Sequence, residues 1–287
     1  MLASVLSYGL SGIDGFAVSV EVNLSPGLPS FELVGLPDAA VKESRERVRT
    51  ALKNSGLSYP GDRITVNLAP ADTKKEGPAF DLPIAVGILA AQGRLPMDSL
   101  NGVAVLGELA LGGAVRPVRG ALPMVISAME QGVKHVILPL ENAAEVRCVS
   151  GIQALPAGSL AEVLDHLTGR QPIEPVHAIQ YRELLGNRRL MVDFSMVKGQ
   201  RSAKRALEIA AAGGHNVLMI GAPGSGKTLL ARCMPTILPN MSFEEALEVT
   251  RIHSAAGIAP ESGLLTERPF RSPHHTASSV SMVGGGM

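Results

Sequence analysis

The 287 residues carry 26 basic and 26 acidic side chains, for a formal net charge of zero, and are 46% hydrophobic and 18% charged. This describes a folded, core-rich chain long enough for about two domains at roughly 150 residues each, and it excludes a disordered tail or a uniformly basic nucleic-acid coat, though not a local basic surface. The absence of Trp and an aromatic content of 3% argue against a platform of aromatic rings for stacking bases.

Cys148 and Cys233 are too few and too far apart for a disulfide framework or a metal site, which points to a reducing compartment. The longest apolar stretch, 82–91, falls short of the ~20 residues a membrane helix needs. The N-terminus Met-Leu-Ala-Ser-Val-Leu has neither the basic region nor the cleavage pattern of a signal peptide. The expected location is cytoplasmic, with no membrane partner.

In chain order, residues 18–24 and 31–36 read as strands about a Pro-Gly turn at 25–29. Asp38 is placed to cap a helix running to about Asn54, with Glu43 and Arg47 one turn apart. A strand at 64–68, a loop at 69–78 and an apolar helix at 81–92 follow. Further strands are expected at 103–111 and 135–138, with a helix at 121–131 between them. Ser159-Leu-Ala-Glu162 is a capping box for a helix stopped by Gly169.

The stretch Arg170-Gln-Pro-Ile-Glu-Pro175 has linker composition, giving expected domains at 1–170 and 191–287 with a linker at 171–190. The second domain is expected to start near Met191 and to contain helices at 203–212 and, after a capping box at Ser242-Phe-Glu-Glu245, to about Arg251.

The most specific feature lies between those helices. Residues 221–228 read Gly-Ala-Pro-Gly-Ser-Gly-Lys-Thr, a full phosphate-loop spacing. Gly221, Gly224 and Gly226 let the main chain curl with its amides turned inward, and the following helix N-terminus adds to that positive cradle. Ala222, Pro223 and Ser225 fill the loop and Leu229 follows it. Lys227 is the expected ligand of the β- and γ-phosphates, and Thr228 the expected ligand of Mg²⁺; these two are the candidate catalytic residues. Asn216-Val-Leu-Met-Ile220 reads as a buried parallel strand leading in, and 229–234 as a helix leading out. The expected ligand is ATP with Mg²⁺.

A phosphate-loop ATPase also needs an acidic residue ending an apolar strand. No such run follows Thr228 before the terminal Gly284-Gly-Gly-Met287. The expectation is a fragment of a longer protein or the product of a truncated gene, which hydrolyses ATP poorly or not at all by itself.

The chain resembles the YifB/ComM group of magnesium-chelatase-like AAA+ ATPases. The resemblance rests on Tyr8-Gly-Leu-Ser-Gly-Ile-Asp14, Pro29-Ser-Phe-Glu-Leu-Val-Gly-Leu-Pro-Asp38, Val66-Asn-Leu-Ala-Pro70, Val197-Lys-Gly-Gln200, Gly213-Gly-His-Asn216, the phosphate loop and Arg268-Pro-Phe-Arg-Ser-Pro-His-His-Thr-Ala277. It implies an α/β chain, in which an N-terminal domain like ribosomal protein S5 domain 2 and the Lon proteolytic domain precedes the incomplete front half of an AAA+ domain. Val197 and Gln200 would lie beside the adenine. The full-length protein would be a hexameric ring driving DNA branch migration; the competing implication is a chelatase-like or chaperone-like remodeller of a protein partner.

The Lon-like stretches are Lys74-Lys-Glu-Gly-Pro-Ala-Phe-Asp81, Gly107-Glu-Leu-Ala-Leu-Gly-Gly-Ala-Val-Arg-Pro117 and Val133-Lys-His-Val-Ile-Leu-Pro139. The positions of the Ser–Lys dyad fall on Ala79 and Leu122, which can neither attack a carbonyl nor accept a proton. Proteolysis is rejected and a docking or DNA-interacting domain is expected instead.

His253, His274 and His275 lack metal-ligand spacing. The loop 268–286 reads either as a pore-facing DNA contact through Arg271 and the histidines or as a solvent loop or packing between subunits. Lys42, Arg45, Arg47, Arg49 and Lys53 give the helix at 41–53 a partial basic face. That face reads as a DNA contact or, more often, as a solvated surface.

Overall fold

The computed structural model describes residues 1–186, 192–260, 262–274, 276–278 and 280. Met191, His275 and the Gly284–Met287 end therefore lie outside the described residues. By contacts the chain divides into Met1–Glu183 with Leu247–Leu265, and Leu184–Ala246 with Thr266–Met287.

The first unit opens with β1 (Leu2–Ser11) and β2 (Asp14–Ser25), an antiparallel hairpin closed at Ser11 and Asp14. Then come β3 (Ser30–Val34), α1 (Ala39–Lys42), α2 (Ser44–Asn54), β4 (Arg63–Ala69), α3 (Asp81–Ala91), β5 (Val103–Val105), β6 (Glu108–Leu109), β7 (Val115–Arg116), α4 (Ala121–Glu130), β8 (His135–Pro139), α5 (Ala143–Val146), β9 (Gln153–Ala157) and α6 (Leu160–Leu167).

Seven strands form one mixed sheet in the order β3-β4-β2-β1-β5-β8-β9. The pairings β1–β2 and β2–β4 are antiparallel, and the other four are parallel. Helices cover both faces, and the strand residues show why. Val103, Val105 and Ile137 belong to one apolar cluster with α3, whereas Ala104, Val136 and Leu138 belong to another with Met124 and Val125 of α4. That period of two sends neighbouring residues to opposite faces of the sheet. α3 is buried along its whole length, so its sequence is apolar all round rather than striped.

Three strands escape the sequence reading, the two-residue β7 and two strands of the large sheet. β1 is interrupted by Ser4, Ser7 and Gly9, and β9, an edge strand paired in parallel with β8, contains Pro156. Position in the sheet overrides propensity in both. The single helix expected from Asp38 is two, α1 and α2, divided at Glu43. Asp38 does cap the first, accepting from the Val41 amide at 2.7 Å. The strand expected at 103–111 breaks into β5 and β6. The Ser159 box forms as expected, with the Glu162 amide donating to Ser159 Oγ at 3.2 Å and Gly158 N donating to Glu162 Oε2 at 2.9 Å.

The segment after α6 lies on the sheet unit. Ile173 N donates to His166 Nδ1 at 2.9 Å, and Val176 N donates to Ala154 O at 2.8 Å. α7 (Tyr181–Gly186) follows.

In the second unit α8 (Arg201–Gly213) and α9 (Lys227–Ile237) pack around Val197, Leu207, Leu230 and Cys233. α10 (Phe243–Ala255) starts at the expected Ser242 box, where Glu245 N donates to Ser242 Oγ at 3.1 Å. Among the described residues no helix is long and apolar enough to cross a membrane.

Candidate functional site

The phosphate loop spans the turn into α9. Gly224 and Gly226 adopt φ of +80° and +86°, a left-handed backbone that side chains with a Cβ rarely take. A Cβ built on either would meet no atom within 4 Å. Backbone conformation, not crowding, therefore demands glycine, and the space beside the loop is open.

Gly226 caps α9 with no side-chain hydrogen bond, and the first helical bond is Leu230 N to Gly226 O at 3.0 Å. A helix start leaves its leading amides without acceptors in the helix, so the amides of Lys227, Thr228 and Leu229 are oriented for an anion. Gly221, Ala222, Pro223, Ser225 and Thr228 are all exposed. Lys227 folds back over the loop, donating to Gly221 O at 2.7 Å, Ala222 O at 2.8 Å and Ser225 Oγ at 3.3 Å. Its ammonium thus sits among neutral acceptors that a phosphate oxygen would outbid as a charge-assisted partner.

The two upstream candidates differ in placement. Gln200, at φ +53°, caps α8 and donates through Nε2 to Ser225 O at 3.3 Å, tying it to the loop. Val197 is buried in the apolar cluster under α8 and α9. Asp193 escaped the sequence reading: it accepts from Ser195 N at 2.7 Å, and its carbonyl accepts from Cys233 Sγ at 3.4 Å. Hydrogen bonds from Ser195, side chain first, lower its carboxyl pKa. The Asp-x-Ser spacing was its available signal.

The expected strand at 216–220 is corrected. The segment has no regular structure and no ladder partner, and Leu218 and Ile220 are 85% and 89% exposed. Met219 alone turns toward the cluster of α8 and α9. A parallel strand exists only through its neighbours, and no other strand occurs among the described residues of this unit.

Arg268, at the start of the 268–286 loop, pairs with the capping-box carboxylate Glu245 at 3.0 Å and donates to Pro239 O at 2.9 Å. His274 Nδ1 meets Thr276 Oγ1 at 2.8 Å. No group of three metal-ligating side chains occurs among the described residues.

In the first unit Ala79 and Leu122 are both buried, and Ala79 lines a cavity of about 530 Å³ with Gly77, Glu108 and Arg119. Arg47 leaves the basic face assigned to it. It grips the wholly buried Asp81 from α2, with Nε to Oδ2 at 2.6 Å and Nη2 to Oδ1 at 3.0 Å, while Glu43 lies at 3.5 Å. Leu109 N adds a third bond to Asp81 at 3.2 Å. Burial pushes the Asp81 carboxyl up against the pull of Arg47, whose own pKa the same pair raises.

Lys75 is also wholly buried, its ammonium donating to the carbonyls of Pro70 and Thr73, and burial lowers its pKa. It falls in the loop expected at 69–78, where nothing in the sequence marks it as buried. Cys148 and Cys233 are free thiols.

Two family models match the chain, one described as subunit ChlI of Mg-chelatase over residues 20–142 and one as magnesium chelatase, subunit ChlI, over residues 193–287. The chain is 46% identical over 278 residues to the uncharacterized protein YifB of Escherichia coli, covering 96% of this chain and 53% of that protein. It is 42% identical over 286 residues to the competence protein ComM of Haemophilus influenzae, covering 99% and 56% respectively. It is also 34% identical over 166 residues to Lon protease 2 of Bacillus subtilis, 55% of this chain and 29% of that one. The chain thus spans about half the length of the curated full-length relatives it matches.

Proposed function

This chain belongs to the YifB/ComM family of magnesium-chelatase-like proteins, and from that premise we propose that it is the ATP-binding part of an AAA+ motor subunit acting on DNA. The observation that carries the ATP reading is the loop itself: two left-handed glycines, an α9 N-terminus without a side-chain cap, and an ammonium held on neutral acceptors. Gly221 to Leu229 would hold the triphosphate, with Lys227 on the terminal phosphates. Gln200 would brace the loop, and Val197 would stand with it on the adenine side. Mg²⁺, held by the Thr228 hydroxyl, would neutralise charge that develops on the phosphates. The domain plan of 1–170, a linker at 171–190 and an AAA+ front half from 191 belongs to the same proposal.

For the first unit we propose the fold of ribosomal protein S5 domain 2, without proteolysis. The likeness to Lon protease 2 supports the fold, and Ala79 and Leu122 supply neither nucleophile nor base. DNA as substrate and a hexameric ring come from the family resemblance, and a cytoplasmic site from the cysteine content and the N-terminal sequence. The competing reading, a remodeller of a protein partner, is favoured by the chelatase description of both family models.

Calorimetry with MgATP tests the core of the proposal. Lys227→Ala should weaken binding by more than about tenfold, the loss expected when charged hydrogen bonds of ~1.5–3 kcal/mol are removed. Equal affinity in the two proteins, or no binding by the native chain at millimolar nucleotide, would sink it. Binding of branched DNA by the full-length protein, with a steep log–log salt slope, separates the DNA motor from the protein remodeller.

A further inference from the structure

We propose that the groove between α2 and β3 in the first unit binds the phosphate backbone of a nucleic-acid single strand. One wall is the exposed face of α2, where Arg45, Arg49 and Lys53 recur every four residues. That spacing sets them in line, with a rise of about 6 Å per step. The opposite side holds Phe31 of β3, with Tyr59 and Asp62 from the connection to β4, and the groove encloses about 420 Å³.

The charge in the groove is available. Neither Arg49 nor Lys53 has a carboxylate within salt-bridge distance among the described residues, and Arg45 meets only its exposed neighbour Glu46, at 3.4 Å. Exposed pairs of that kind are weak in water and give way to a multivalent anion. Arg47, the other arginine of this helix, is turned inward to Asp81, so the three cations of the groove wall form a separate set. Asp62 is the one carboxylate in the lining, and it directs an anionic chain toward α2. A chain of zero net charge therefore carries a local cationic track.

The second observation selects the polymer. The Arg49 guanidinium lies over the Tyr59 ring, 5.9 Å from its centroid, while Arg49 stays exposed. Phe31 and Tyr59 both line the groove, so ring faces on which a base stacks stand beside cations whose N–H groups bond phosphate. The chain has few aromatic residues, but two of them line this groove. Cations at one-turn intervals beside such a plane suit a polymer that alternates anions with planar bases. An acidic peptide offers the anions without the planes. This site is separate from the phosphate loop, and its test keeps the two apart.

The test is fluorescence anisotropy of a labelled oligothymidylate of about 16 nucleotides, lacking terminal phosphates, titrated with the whole 287-residue chain. Arg49→Gln with Lys53→Gln should weaken binding at low salt by about tenfold or more, and should reduce the log–log salt slope by about 1.4, at about 0.7 per lost contact. Circular dichroism and melting should match the native chain, since neither side chain holds an ion pair. Tyr59→Leu should keep the slope but lose any preference for oligothymidylate over an abasic oligomer. Lys227→Ala should bind the oligomer like the native chain, whatever it does to nucleotide binding.

No binding by the native chain at low salt would overturn the proposal, as would unchanged affinity in the folded glutamine variant. So would an equal loss in Lys227→Ala, which would move the strand to the phosphate loop. Displacement by polyglutamate as effective as by oligothymidylate would assign the groove to acidic peptides instead.

Discussion

β4 and the segment 216–220 are short apolar runs of similar composition, and they meet opposite fates. In β4 the side chains of Ile64, Val66 and Leu68 are wholly buried between β2 and β3. In 216–220 Leu218 and Ile220 stand almost fully exposed, with no ladder on either side. Apolar content makes a strand possible, but neighbours make it a strand. The first unit supplies those neighbours, and the described part of the second does not. Stability should therefore concentrate in the first unit, and ligand chemistry in the second.

The largest expected effect tests the first half of that contrast. Asp81→Ala leaves the Arg47 guanidinium without its buried partner and should cost about 3–5 kcal/mol in urea unfolding of the first unit. A loss below ~1 kcal/mol would mean that the pair contributes little to the join between α2 and α3.

Gly226→Val probes the second unit. It forces a β-branched residue into φ +86°, at a cost of about 1–2 kcal/mol, and MgATP binding should fall much further than melting does. Parallel losses in both would show that the loop is a structural turn first.

Acidification gives a smaller effect. Burial, and behind it the charge of His135, lowers the His166 pKa, and its Nδ1 accepts from Ile173 N. The folded-state value lies below the unfolded one, so the associated stability is complete above the unfolded pKa of about 6.5. It is lost as pH falls through the lower folded value. Amide exchange at Ile173 should accelerate over that acidic window in the native chain and be pH-insensitive there, beyond intrinsic exchange, in His166→Gln.

Leu218→Asp should be the quietest change, within about ±0.5 kcal/mol, because the site is exposed. A loss of 2 kcal/mol or more, of the size usual for core positions, would show that this segment is covered in solution and would break the contrast with β4.

Legibility in the sequence followed the range of the interaction. The phosphate loop and the boxes at Ser159 and Ser242 could be read because every partner lies within a few residues and the chemistry is local. The helices α3, α4 and α8 were placed to within two residues, from apolar runs and the glycines that end them. β1 and β9 were missed because serines, a glycine and a proline hide strands that the sheet stabilises. The bond from Arg47 to Asp81 spans 34 residues, and the local alternative, Glu43 one turn away, was the natural partner to expect. The strand misassigned at 216–220 failed for the converse reason: its letters promised a sheet that its surroundings do not provide.

Lys75 closes the loop that leads to α3 by threading its amine into main-chain carbonyls while its neighbour Lys74 remains outside, paired with Glu76 at 2.6 Å. The two adjacent amines form a built-in reporter. An acylating reagent should mark Lys74 at once and reach Lys75 only when that loop unlatches, so the ratio of the two adducts in a mass spectrum would time the opening of the first unit without any engineered probe.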